Sequence, residues 1–132
     1  MLNAAIAALC LAAPLGMWLS SQYLIEQAPS RFTGKVAVVH GMAGATCAAL
    51  LFLALRRPVA THPGGPASGA GAFGWIALGM LLATLFGGLT ILSFHLRRRA
   101  AAPVIVAIHA CAGIFAAVLL AAYYSTPSSY GR

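Results

Sequence analysis

The chain contains no aspartate and a single glutamate, Glu26. That shortage removes several kinds of chemistry at once. A Ser–His pair has no acid to orient it, paired carboxylates for glycoside hydrolysis are absent, and a hard cation has no oxygen cage. Charge of either sign is scarce, at 7% of 132 residues, against about 25% in ordinary soluble domains. A water-soluble fold cannot cover its surface with so few charges. Cysteine is limited to Cys10, Cys47 and Cys111, with no Cys-x-x-Cys pair. The three read as small apolar core residues rather than a zinc or redox centre. No ten-residue stretch alternates with period two, which excludes a transmembrane barrel.

Apolar residues are what the chain has, at 61% of the total with a mean hydropathy of +0.91. They come in four runs, residues 2–25, 36–55, 73–96 and 103–124. A run of about 20 residues crosses a hydrocarbon layer of roughly 30 Å as a helix. In lipid each segment must satisfy its own backbone hydrogen bonds, so helix is the expected form. The expected fold is therefore an all-α integral membrane protein, a bundle of four transmembrane helices in a single domain. Residues 58–72, rich in Pro, Gly, Ala and Ser, form a flexible loop between the second and third helices. His62 within it is expected to be merely solvated. No basic residue precedes the first run, which is also too long for a signal-peptide core, so it reads as a retained helix.

The formal charge of +7 comes from Arg31, Lys35, Arg56, Arg57, Arg97, Arg98, Arg99 and Arg132. All lie between or beyond the apolar runs, the pattern of topology signals and lipid head-group contacts rather than of a nucleic-acid surface. Arg31, Lys35 and Arg97, Arg98 and Arg99 share one side, against Arg56, Arg57 and Arg132 on the other. The positive-inside rule then puts the larger group in the cytoplasm and both termini in the periplasm of a bacterial inner membrane.

The histidines carry the functional signal. His40 lies early in the second run and His109 early in the fourth, each in a His-x-x-x-Gly pattern that ends at Gly44 or Gly113. An imidazole inside a bilayer is costly enough to require a partner and often a task. Two runs of the same direction with His at matching depth bring the side chains to one level. The first and third runs also correspond: Gly16, Ser21 and Leu24 repeat the spacing of Gly88, Ser93 and Leu96. The chain thus reads as a tandem 2+2 repeat of a two-helix unit, related by a pseudo-twofold axis along the membrane normal.

Between two facing histidines a haem b fits best, since its iron takes axial nitrogens from opposite sides. His40 and His109 are the expected axial ligands, with Gly44 and Gly113 making room for the macrocycle. Arg97 and Arg98, together with Arg31, Lys35, His95, Ser93 and Tyr23, are placed to neutralise and hydrogen-bond the propionates. His95, at the boundary end of the third run, reads as a propionate-facing residue and not as a ligand.

A four-helix bundle with His-x-x-x-Gly sites on two helices resembles the small membrane b-type cytochromes, the cytochrome b561-like proteins and the membrane anchors of respiratory dehydrogenases. Many b561-type proteins hold two histidine pairs, and only His40 and His109 form a pair here. The resemblance implies an electron-transfer subunit rather than a stand-alone enzyme. Its implied partners are a redox or membrane subunit, a second copy of the chain, or a quinone. For a quinone only Ser20, Ser21, Gln22, Tyr23 and Glu26 offer a polar cluster.

Three other readings stay open. A cofactor-free membrane anchor would use the histidines as interhelical hydrogen-bond staples. A proton-coupled exporter would depend on Glu26, which falls at a helix end and not at the midplane. A His–Cys metal site would pair His109 with Cys111, which a helix turns about 200° apart.

Overall fold

The computed structural model describes residues 1–26, 31–56, 69–97 and 99–125. The described residues form four helices: α1 (Leu2–Glu26), α2 (Arg31–Leu55), α3 (Gly69–Leu96) and α4 (Pro103–Ser125). No strand occurs among the described residues. Each helix is long and apolar enough to cross a membrane, over Leu2–Tyr23, Thr33–Leu55, Ala72–Leu96 and Pro103–Ser125. Two helices start before their apolar runs, α2 at Arg31 and α3 at Gly69, so residues 69–72 of the expected loop are helical instead, while 58–68, with His62, lie outside the described residues. Apolarity marks where hydrocarbon solvates the chain, whereas the backbone goes on pairing i to i+4 beyond that boundary.

Helix ends show their local causes. Pro103 occupies the first turn of α4, where its missing N–H leaves nothing unsatisfied. The Ala102 carbonyl opens that helix by accepting from Ile105 and Val106. At the end of α3 the Arg97 N–H donates to the Ser93 carbonyl at 3.2 Å and the Arg99 N–H wraps back to Phe94 at 2.9 Å. Positive charge there also complements the negative end of the helix dipole. Pro14 sits inside α1 without ending it.

α1 packs chiefly on α2 and α3 chiefly on α4, with lighter contacts of α2 on α3 and of α1 on α4. The two pairs run up and down, which puts the start of α2 and the end of α3 at one end of the bundle. There His95 lies against Gly34, its Nε2 3.1 Å from where a Cβ on that glycine would stand. At the opposite end Gly74 of α3 admits Leu55 of α2 and Tyr123 of α4. A Cβ on Gly74 would come within 2.6 Å of Leu55 Cδ2, so this glycine permits three helices to close together.

The core is not centred. Its main cluster joins Ala5, Cys47, Ala48, Leu51, Ala77, Leu78, Leu81, Ala116 and Leu120, all toward the Gly74 end. Leu51, Leu120 and Cys47 are the largest fully buried side chains. Replacing Leu120 with Ala removes contacts that neighbours cannot refill. It should lower resistance to denaturing detergent by about 2–5 kcal/mol, read from an unfolding titration of the purified protein. Large apolar residues such as Met17, Met42, Phe86, Ile108 and Val118 point outward. Of the cysteines only Cys47 is a core residue, whereas Cys10 and Cys111 lie on exposed faces.

Candidate functional site: two imidazoles between diagonal helices

Toward the other end the bundle is built from small residues. α1 presents Ala12 and Gly16, α2 presents Ala43 and Gly44, α3 presents Gly87 and Gly88, and α4 presents Ala112 and Gly113. Into this level His40 enters from α2 and His109 from α4. The two helices lie on a diagonal of the bundle, yet the imidazole centroids are 6.1 Å apart, with ring planes at 81°. The rings meet edge to face.

Each ring is fixed by the helix paired with its own. His40 Nδ1 lies 2.9 Å from the main-chain carbonyl of Ala12 in α1, and His109 Nδ1 lies 3.0 Å from that of Thr84 in α3. A carbonyl oxygen can only accept, so Nδ1 donates in both cases. In a neutral imidazole that places the free lone pair on Nε2. This is the arrangement by which proteins orient a metal-ligating histidine, with one ring N–H held by an outer acceptor and the other nitrogen left to bind.

Glycine makes both hydrogen bonds accessible. Within a helix the carbonyl of Ala12 also accepts from the N–H of Gly16, and that of Thr84 from Gly88. A side chain four residues on would cover the carbonyl and hold the neighbouring ring away. At Gly16 an added Cβ would stand 2.7 Å from Cε1 of His40, and at Gly88 3.2 Å from Cε1 of His109. Gly87 is equally close, at 3.2 Å from His109 Nδ1. The Thr84 hydroxyl takes no part in the anchor, because it donates to the Met80 carbonyl at 2.8 Å.

Gly44 and Gly113 stand elsewhere than against the rings: a Cβ on Gly44 would make ordinary contact with Leu85, at 3.6 Å, and one on Gly113 with Thr84, at 3.5 Å. Among the described residues, the glycines against these two rings are Gly16, Gly87 and Gly88. Sequence spacing singles out Gly16 and Gly88 only as matching positions in α1 and α3. A signal for their role was present, since each follows the accepting carbonyl by four residues, but the identity of that acceptor requires the packing of the pairs.

The remaining expected site residues divide by place. His95 and Arg97 lie at the end of α3, one seated on Gly34 and the other exposed. Arg99 and Lys35 are exposed at the same end, and Arg98 lies outside the described residues. Tyr23 and Ser93 are on the last turns of α1 and α3, where the Ser93 hydroxyl donates to the Thr90 carbonyl at 2.7 Å. Ser21, from the polar cluster of α1, donates to the Trp18 carbonyl at 2.7 Å. A depression of about 210 Å³ opens beside His109, lined by Ala83, Thr84, Gly87, Ile105, Ile108 and Ala112.

No group of three or more His, Cys, Asp or Glu side chains gathers among the described residues. Two imidazoles alone do not complete the four-coordinate shell of a bare zinc ion. They do suit a metal whose other ligands arrive with it. No protein-family model, curated protein or solved structure matches the chain.

Proposed function

We propose that the chain is an integral membrane electron-transfer subunit that holds one haem b between His40 and His109. One observation carries this reading. Two imidazoles from diagonal helices converge, each with its Nδ1–H already given to a backbone carbonyl. The two centroids stand 6.1 Å apart, close enough for both imidazoles to bind one metal. Alanine and glycine on all four helices keep side chains short at this level, whereas the main core cluster around Leu51, Leu78 and Leu120 lies nearer the other end.

When bound, the haem supplies a one-electron couple with no open coordination position for substrate. The protein's part is to orient and insulate. The carbonyls of Ala12 and Thr84 fix the tautomer and the rotation of the rings and raise the basicity of Nε2. Arg97, Lys35 and the adjacent Arg31 and Arg98, with His95, Ser93 and Tyr23, supply cationic and hydrogen-bonding groups for the propionates at the nearer boundary. Gly44 and Gly113 thin the walls of α2 and α4 beside the ligands.

The tandem 2+2 repeat belongs to the same proposal, supported by correspondences that reach beyond spacing. Ala12, Gly16 and His40 in the first half stand as Thr84, Gly88 and His109 do in the second. In each half the carbonyl acceptor lies four residues before a glycine on the odd helix, and the histidine is on the even one. Lipid surrounds the bundle, and the partners are a redox or membrane subunit, another copy of the chain, or a quinone.

A second reading draws on the same hydrogen bonds. Two interhelical staples, His40 to Ala12 and His109 to Thr84, are what a cofactor-free anchor subunit would use to hold its helix pairs. Optical spectroscopy of the detergent-purified chain separates the two. A bis-histidine haem gives sharp bands in the reduced-minus-oxidised spectrum, whereas a colourless protein that keeps its helical circular dichroism establishes the anchor.

A further inference from the structure

The histidine pair sits well off the middle of the bundle. At about 1.5 Å per residue, His40 is roughly 14 Å along the axis from the Arg31 end of α2 and about 23 Å from the Leu55 end. His109 is roughly 9 Å from the Pro103 end of α4 and about 24 Å from the Ser125 end. The longer route runs through the saturated core around Leu51, Leu78 and Leu120, and Tyr123 and Leu55 close on Gly74 beyond it. Electron tunnelling falls off exponentially with distance, so this half insulates.

The nearer end is basic. Lys35, Arg97 and Arg99 are exposed there, and Arg31 and Arg98 are close to them in sequence. The one acid of the chain, Glu26, ends α1 at this face. At the far end the described guanidinium, Arg56, is folded onto the Phe52 ring at 4.9 Å.

Resting on the haem reading, we infer that the site exchanges electrons through the basic face alone, and that this face docks an acidic one-electron carrier protein. The carrier loses one electron and the site gains one, with no bond made or broken and no proton required. The same face then returns the electron to an acceptor, and the chain by itself does not conduct across the membrane. Charge complementarity selects the partner, because a cationic end attracts an anionic carrier and raises its encounter rate in a salt-dependent way.

The test uses the full haem-loaded chain in neutral phosphatidylcholine vesicles with one face outward, and a reduced plant-type ferredoxin as the acidic probe. Vesicles with the basic face outward should be reduced rapidly, and those with the far face outward at least about tenfold more slowly. Joint replacement of Lys35, Arg97 and Arg99 by Glu, compared at equal haem content, should lower the low-salt rate by at least about tenfold and flatten its salt dependence. Arg56→Glu should leave the rate as it was. Equal reduction from both faces, or a triple variant that loses affinity only for anionic lipid, overturns the inference and leaves the haem reading standing. A chain that shows no band with dithionite in detergent overturns both.

Discussion

Replacing either His40 or His109 with Ala should leave a folded, helical and colourless protein. The expectation follows from how the two rings are held. Each imidazole has one nitrogen committed to a carbonyl, Ala12 or Thr84, and only the other is left to bind the proposed haem. With one ring gone, no third His, Cys, Asp or Glu stands ready among the described residues to replace it. Haem content after purification should fall to near background in both variants, measured by pyridine haemochrome absorbance against protein concentration. His95→Ala should keep its colour, because His95 is lodged against Gly34 at the end of α3. If either single variant retains a full complement of haem with unaltered bands, the pair is not the ligand set.

Gly16→Leu and Gly88→Leu should be nearly as damaging although neither residue touches iron. A Cβ at Gly16 would meet His40 Cε1 at 2.7 Å, closer than carbon atoms approach, and the rest of a leucine side chain has nowhere to go but the ring's place. The imidazole is then pushed off the Ala12 carbonyl, and the same holds for Gly88 and the Thr84 carbonyl. Loss of an outer-shell partner of this kind costs roughly 10–100-fold in metal affinity. A haem titration of the apoprotein should show a weakening of that order. Gly41→Leu supplies the control, since a Cβ there meets nothing within 4 Å. Thr84→Val is a second control: the anchor is a main-chain carbonyl and the hydroxyl is spent on Met80, so haem affinity should hold. Parallel weakening in Gly41→Leu and Gly16→Leu would mean that bulk anywhere in these helices matters, and that the ring contact does not.

Helix number and position were legible in the sequence because both depend on long uncharged runs, a property each residue carries alone. Which side of each helix faces inward was not. These helices are apolar all round, so no polar stripe marks the outside, and Cys47 in the core cannot be told from Cys111 on the surface. His40 and His109 could be picked out because imidazole is rare in such a context, and their common level follows from chain direction and helix length. The roles of Ala12 and Thr84 were hidden for a different reason: a main-chain acceptor has no side-chain signature, and it is identified only when the neighbouring helix is in place. Gly44 and Gly113 show the same limit. Spacing puts them on the histidine's own face one turn away, but the rings lean toward α1 and α3, and the glycines that receive them belong to those helices.

The uneven core bears on assembly. With Leu51, Leu78, Leu81 and Leu120 gathered at one end, the proposed haem would enter a bundle whose helices already associate there, at the end lined by glycine and alanine. Loading then resembles filling a socket more than nucleating a fold. Hydrogen exchange in the empty protein should accordingly be slow near Leu51 and Leu120 and faster around Ala12 and Thr84, with haem closing that gap; uniform protection in both states would speak against a preassembled receptacle.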